Sequence, residues 1–180
     1  MKRLILLRHA KSGWDDPVKC DFDRPLNGRG RRGALAIGRW MREAGVRFDH
    51  AIASPAVRVA ETLALVADSY GAPIAPEWER RVYLASNATL LEVVQEADDA
   101  VETLLMSGHN PGMEDLTLLL VPDTPGDVER AKVEEKFPTG ALAEMCFDVA
   151  HWTDVDEGRG ALLRFMRPRD LDPALGPDAE

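Results

Sequence analysis

Residues 4–14 read LILLRHAKSGW: four apolar residues run straight into Arg8 and His9, after which the chain turns small, polar and aromatic. A guanidinium and an imidazole that close an apolar run can do chemistry if the edge they reach is open. Two further stretches share this grammar. In ASPAVR, Ser54 reads as a helix N-cap and Pro55 as the first helical residue, with Arg58 in the first turn. In SGHNPGM, Asn110 and Pro111 take the same two roles and His109 stands just before them. Helix starts carry unpaired backbone N–H groups and the positive end of the dipole, which suits them to anions. Arg8, His9, Arg58 and His109 meeting at one point would repel one another when empty. Together they would suit a tetrahedral dianion that accepts many charge-assisted hydrogen bonds, phosphate above all. A single histidine or arginine at such a place is usually structural or solvated, so the constellation carries the reading. His50 and His151 lack such company and are assigned to structure or surface.

The elements that must position these residues follow from the hydrophobic pattern. A first strand spans about 3–7. Ala34, Ile37, Met41 and Ala44 then recur at helical spacing with Trp40 beside them, up to a stop at Gly45. DHAIA, at 49–53, reads as a second strand, followed by a helix whose stripe is Ala56, Val59, Leu63 and Val66 and which ends at Gly71 and Pro73. A third strand is expected near 80–84, a helix over 87–97, a fourth strand over 101–107 and a helix over 111–121. Two β-runs, 141–148 and 161–166, complete the sheet. Between them PDTPGDVERAKVEEK, at 122–136, reads as an exposed insertion with one short helical stretch. This order predicts an α/β fold, a three-layer sandwich in which helices flank a mostly parallel central sheet. Ligands of open α/β sheets gather at the carboxyl ends of the strands, where all four candidate residues would lie. A single domain is expected over 1–167 and a poorly ordered tail over 168–180.

Composition narrows the classes of function. The chain has 180 residues and a formal charge of −9, which argues against a nucleic-acid binder, since phosphate-backbone affinity needs clustered Lys and Arg. The charge is uneven: residues 1–47 hold 12 of the 22 Lys and Arg but only 5 of the 31 Asp and Glu. A small anion could therefore be welcome in an acidic protein. No apolar run is long enough to cross a bilayer, and Lys2 and Arg3 precede only four apolar residues, which is no secretory signal. A cytoplasmic protein without membrane or nucleic-acid partners is expected. Cys20 and Cys146 have no metal or redox spacing. GRGRRG, at 28–33, fits the dinucleotide-binding pattern, but it follows a polar loop instead of a strand and arginines crowd its glycines. A metal centre fits poorly, because His9 and His109 are flanked by arginines and no ligand-spaced pair appears. No cofactor and no metal are expected. A pocket that binds phosphate without hydrolysing it is the remaining rival.

The same residues resemble the histidine phosphatase superfamily, with its phosphoglycerate mutase-like fold. RHAKSGW resembles the Arg-His-Gly signature, with Ala10 where Gly is usual; SPAVRVAET matches the Ser-Pro-x-x-Arg-x-x-x-Thr segment, and SGHNPGM the second histidine. RPLNGRGRRGA resembles the loop and helix start between them. The short chain, HNP, and FPTGA at 137–141 resemble the SixA-type phosphohistidine phosphatases most. The resemblance implies that His9 attacks phosphorus to give a phosphohistidine intermediate, while Arg8, Arg58 and His109 hold the phosphoryl oxygens. It also implies substrate-binding positions for Ser12 and Asn27 near the phosphate and Thr139 near the rim, all three being ordinary turn residue types as well. Larger members place a carboxylate after the third strand, in a Leu-x-Glu context, to protonate an alkoxide. Here the matching residues are Val82, Tyr83 and Leu84, which leaves Glu77 and Glu79 as the nearest acids. Imidazole, with a pKa of about 6.5, leaves without such help. The implied substrate is a phosphohistidine on a protein; a small phosphomonoester is the alternative.

Overall fold

The chain is described by a computed structural model covering residues 1–14, 17 and 20–177. Strand β1 (Lys2–Arg8) lies inside a six-stranded sheet and is buried on both faces. Its neighbours are β4 (Thr103–Gly108), parallel, and β5 (Leu142–Phe147), antiparallel. Beyond β4 come β2 (His50–Ala53) and a short β3 (Glu77–Trp78), both parallel; beyond β5 comes β6 (Gly160–Met166), antiparallel to it. The order is β3-β2-β4-β1-β5-β6, so β5 alone runs against the rest. Alternation along β1 divides the core. Leu4 and Leu6 face one cluster and Ile5 and Leu7 the other, as the two-residue period of a strand requires.

Helices α1 (Gly28–Glu43) and α2 (Val57–Tyr70) cover the Ile5 face through Ala34, Ile37 and Met41 and through Val59, Leu63 and Val66. The other face is covered by α3 (Asn87–Gln95), α4 (Gly112–Leu120) and α5 (Val128–Glu135). This is the three-layer arrangement expected from the sequence. Fully burying a Leu, Ile or Val side chain contributes roughly 1.5–3 kcal/mol, so these two clusters are the main source of stability.

Four local expectations are corrected. The third strand is Glu77–Trp78, and Arg80–Val82 forms a 3-10 turn: Val82 and Tyr83 pack onto the core clusters instead of pairing along the sheet's edge, and Leu84 is exposed. Helix α2 starts at Val57, because Ser54 and Pro55 continue the extended chain beyond β2 and the N-cap is Ala56. Helix α4 starts at Gly112 with Pro111 as N-cap, and Asn110 accepts instead from the Glu114 N–H at 3.3 Å. The insertion is less exposed than its charge suggests, since α5 buries Val133 in the core and Arg130 bonds the Val121 carbonyl. In the tail, Pro168–Leu171 forms a short helix, α6, and Pro173–Leu175 a 3-10 turn; residues 178–180 lie outside the described residues.

One close approach fixes the site edge. A Cβ at Gly30, in the first turn of α1, would lie 1.9 Å from the Lys11 carbonyl oxygen, so only glycine lets the helix sit against the loop leaving β1. Gly30, the middle glycine of GRGRRG, thus has a packing role.

Candidate active site

At the carboxyl end of the sheet a pocket of about 220 Å³ is lined by Arg8, His9, Arg58 and His109, together with Ser12, Asp21 and Thr139. Backbone bonds across the strand ends set their positions: the His9 N–H donates to Gly108 O, the Gly140 N–H to His9 O, and the Ser54 N–H to Ser107 O. The two imidazole rings lie 5.2 Å apart between centroids.

The His9 ring is oriented by its own neighbour. Its Nδ1 lies 2.7 Å from the Ala10 carbonyl oxygen, an acceptor only, so Nδ1 carries the proton and Nε2 keeps its lone pair. Burial holds the imidazolium well below its ordinary range; the Ala10 bond opposes this, and the charges of Arg58 and Arg8 reinforce it. The sequence pointed to no partner for this proton, because the partner is backbone. Ala10 is itself fixed by Thr62, whose Oγ1 accepts from the Ala10 N–H at 2.9 Å and donates to the Arg58 carbonyl at 2.6 Å.

His109 has the opposite tautomer. Arg58 Nη2 donates to Nδ1 at 3.1 Å, so the proton is on Nε2 and is given to Ser54 Oγ at 2.8 Å. Burial, followed by the adjacent Arg58, lowers its pKa to about 3. Ser54 is fully buried and reaches the second histidine, a role its apparent capping position concealed.

Arg58 is only 1% exposed although it carries a charge. It is held by the Asp21 carbonyl at 2.6 Å and the Asp21 carboxylate at 3.0 Å. Asp21 also accepts from Tyr83 Oη at 2.6 Å and pairs with Arg24 at 3.0 Å. Burial works to raise the Asp21 pKa, but the Tyr83 bond and then Arg58 bring it down to about 2, so this carboxylate is ionised. Arg8 donates to Phe137 O at 2.9 Å; Asn110 donates to the same oxygen, and Glu114 accepts from the Phe137 N–H. Arg8 and Arg58 each keep a buried Nε–H with no acceptor among the described residues, a donor pattern that an oxyanion can complete.

The structure brings together Arg8, His9, Arg58 and His109, with Ser12 and Thr139 on the pocket wall. Ser12 Oγ accepts from Arg24 at 2.7 Å. Asn27 is elsewhere: its Oδ1 caps α1 by accepting from the Gly30 N–H at 2.8 Å, and it does not line the pocket. Glu77 and Glu79 also lie elsewhere, lining a separate cavity, with Glu77 near His50 at 3.4 Å and Glu79 bound to Arg81 at 3.0 Å. Sequence reasoning missed Asp21 and Tyr83. The available signal was an acid in the polar CDFDRPLN loop of an otherwise basic segment. Among the described residues no group of three or more His, Cys, Asp and Glu could hold a metal ion, and no helix is long and apolar enough to cross a membrane.

The family model of the histidine phosphatase superfamily (branch 1) matches residues 4–82, which include His9 and Arg58. The uncharacterized protein Rv1276c of Mycobacterium tuberculosis is 36% identical over 164 residues, 91% of this chain and all of that one. Among solved structures, the protein assigned as the phosphohistidine phosphatase SixA in Agrobacterium tumefaciens is 29% identical with a TM-score of 0.75, covering 93% of this chain and 98% of that one. Its counterpart from Nakamurella multipartitia is 26% identical with a TM-score of 0.80, covering 93% and 96%. Fold, pocket and matches together define a phosphatase scaffold of the phosphoglycerate mutase-like type. The chain belongs to the histidine phosphatase superfamily and is SixA-like within it.

Proposed function

We propose that the protein hydrolyses phosphohistidine on a protein through a phosphohistidine intermediate at its own His9, without a metal ion or cofactor. The observation that carries this reading is the His9 tautomer: Nδ1–H is tied to Ala10 O, and Nε2 is a neutral nucleophile in a pocket shared with two guanidiniums. In the first step Nε2 forms a bond to phosphorus while the bond from phosphorus to the substrate nitrogen breaks, and the substrate imidazole, already protonated on its other ring nitrogen, departs as the neutral molecule. Water then attacks the phosphorylated His9, releasing phosphate and restoring the imidazole. Arg8 and Arg58 bind the transferring oxygens and stabilise the charge that develops on them, and His109 joins them once the dianion draws a proton onto Nδ1 in place of the Arg58 hydrogen bond. Ser12 and Thr139 contribute the wall.

The leaving group follows from the acids present. Asp21 is the one carboxylate lining the pocket among the described residues, and it is ionised and engaged by Tyr83, Arg24 and Arg58. No group there is poised to protonate an alkoxide, whereas imidazole is a far better leaving group. The kinship with proteins assigned as SixA supports the same substrate. Guanidiniums around both imidazoles disfavour a cation, so activity is expected to be insensitive to chelators.

The test is turnover of a phosphohistidine peptide and of an alkyl phosphomonoester by wild type and His9→Ala. Preference for the peptide, a phosphorylated enzyme trapped by rapid quenching, and loss of about 1,000-fold or more in His9→Ala support the reading. Equal or faster turnover of the ester assigns a small phosphomonoester instead. A ligand that binds but is never hydrolysed leaves a binding module.

A further inference from the structure

Next to the catalytic pocket lies a second cleft of about 200 Å³, with Arg8, Lys11 and Thr139 forming the wall common to both. Arg29, Lys136 and Arg169 complete its charged lining, and Pro138, Pro168 and Pro177 stiffen its walls. Among the described residues no carboxylate lines it, although the chain has 31 Asp and Glu against 22 Lys and Arg. Two of its cations are already engaged: Arg29 donates to Gly176 O at 2.8 Å, and Arg169 lies 3.3 Å from Glu135, which also pairs with Arg167. Lys11 and Lys136 are exposed and form no ion pair among the described residues. A concave surface lined by one sign of charge raises the local concentration of the opposite sign.

We infer that this cleft is a specificity subsite for a second anionic group of the substrate, carboxylate side chains flanking the phosphorylated residue of the partner protein. The inference rests on the proposed function, which places a phosphoryl group beside Arg8. A segment whose phosphate occupies the His9 pocket and whose next residues are acidic would cross the common wall of Arg8, Lys11 and Thr139 and meet Lys136. Neutral or basic neighbours would meet uncompensated positive charge. The cleft therefore selects among phosphorylated segments and leaves the phosphoryl chemistry to the adjoining pocket.

The test measures binding of peptides carrying a phosphonate analogue of phosphohistidine that resists hydrolysis, with either Glu or Gln at the flanking positions. Binding is measured by calorimetry at low and high salt. The Glu peptide is expected to bind about tenfold tighter at low ionic strength, with the ratio shrinking as salt screens the pairs. In Lys11→Gln/Lys136→Gln the ratio is expected to fall toward one. Because each ratio is taken within one protein, partial unfolding lowers both affinities and leaves it unchanged. Equal binding of the two peptides to wild type, or a ratio that survives the double substitution, overturns the inference. Turnover of the authentic phosphohistidine forms is read separately: a Glu preference without turnover removes the phosphatase reading and leaves the subsite standing.

Discussion

At the scale of single residues, the site is governed by where protons are excluded. Neutral His9 and His109 refuse protons that the same groups accept in an unfolded chain near pH 6.5. Their folded pKa values are lowered, so the unfolded state binds more protons and stability falls as pH drops below about 6.5. The stability is full above that value. The slope approaches about 1.4 kcal/mol per pH unit for each such imidazole. Urea unfolding at pH 7 and pH 5 should therefore show a smaller loss for His109→Gln than for wild type; identical losses would refute the neutral assignment. Thr62 is a positioning residue for His9. Thr62→Val removes the acceptor for the Ala10 N–H, and kcat should fall roughly ten- to a hundredfold with KM little changed. Thr62→Ser should restore most of it, and a change confined to KM would contradict this role.

At the scale of elements, the strand ends and helix starts carry the site. Gly30 allows α1 to approach the loop that follows β1, and Gly30→Ala would push a methyl into the Lys11 carbonyl. About 1–3 kcal/mol of destabilisation is expected in thermal unfolding, with a loss of activity even in the folded fraction. The elements were largely legible in the sequence, because alternation in β1 and the helical stripes of α1 and α2 are strong signals. The third strand was not. Val82, Tyr83 and Leu84 have strand-like composition, yet Val82 serves the core and Tyr83 reaches Asp21. The four central site residues were legible because each ends or begins an element. Ser54 was read as a cap and Asn27 as a substrate-binding position; instead Ser54 holds His109 and Asn27 caps α1. Asp21 is 37 residues from Arg58 and 62 from Tyr83, and no local pattern reports a bond over such distances.

At the scale of the whole molecule, an acidic chain turns a basic face toward its substrate. The net charge of −9 is concentrated away from the N-terminal quarter, while the pocket and its neighbouring cleft are lined by cations. Long-range attraction should raise the rate of encounter with an anionic substrate, so kcat/KM should fall steeply between low salt and 0.5 M salt, mainly through KM. A kcat/KM that is flat with salt would show that only buried contacts matter. Overall charge, read alone, hides this division.

The tether on His9 has a consequence for change over time. Every amino acid supplies a main-chain carbonyl, so no replacement at position 10 deletes the atom that holds the proton on His9 Nδ1. The orientation of the His9 ring is thereby insulated from point mutation at its nearest neighbour. It can be altered only by shifting the peptide plane, through the threonine that pins it or the strand that delivers it.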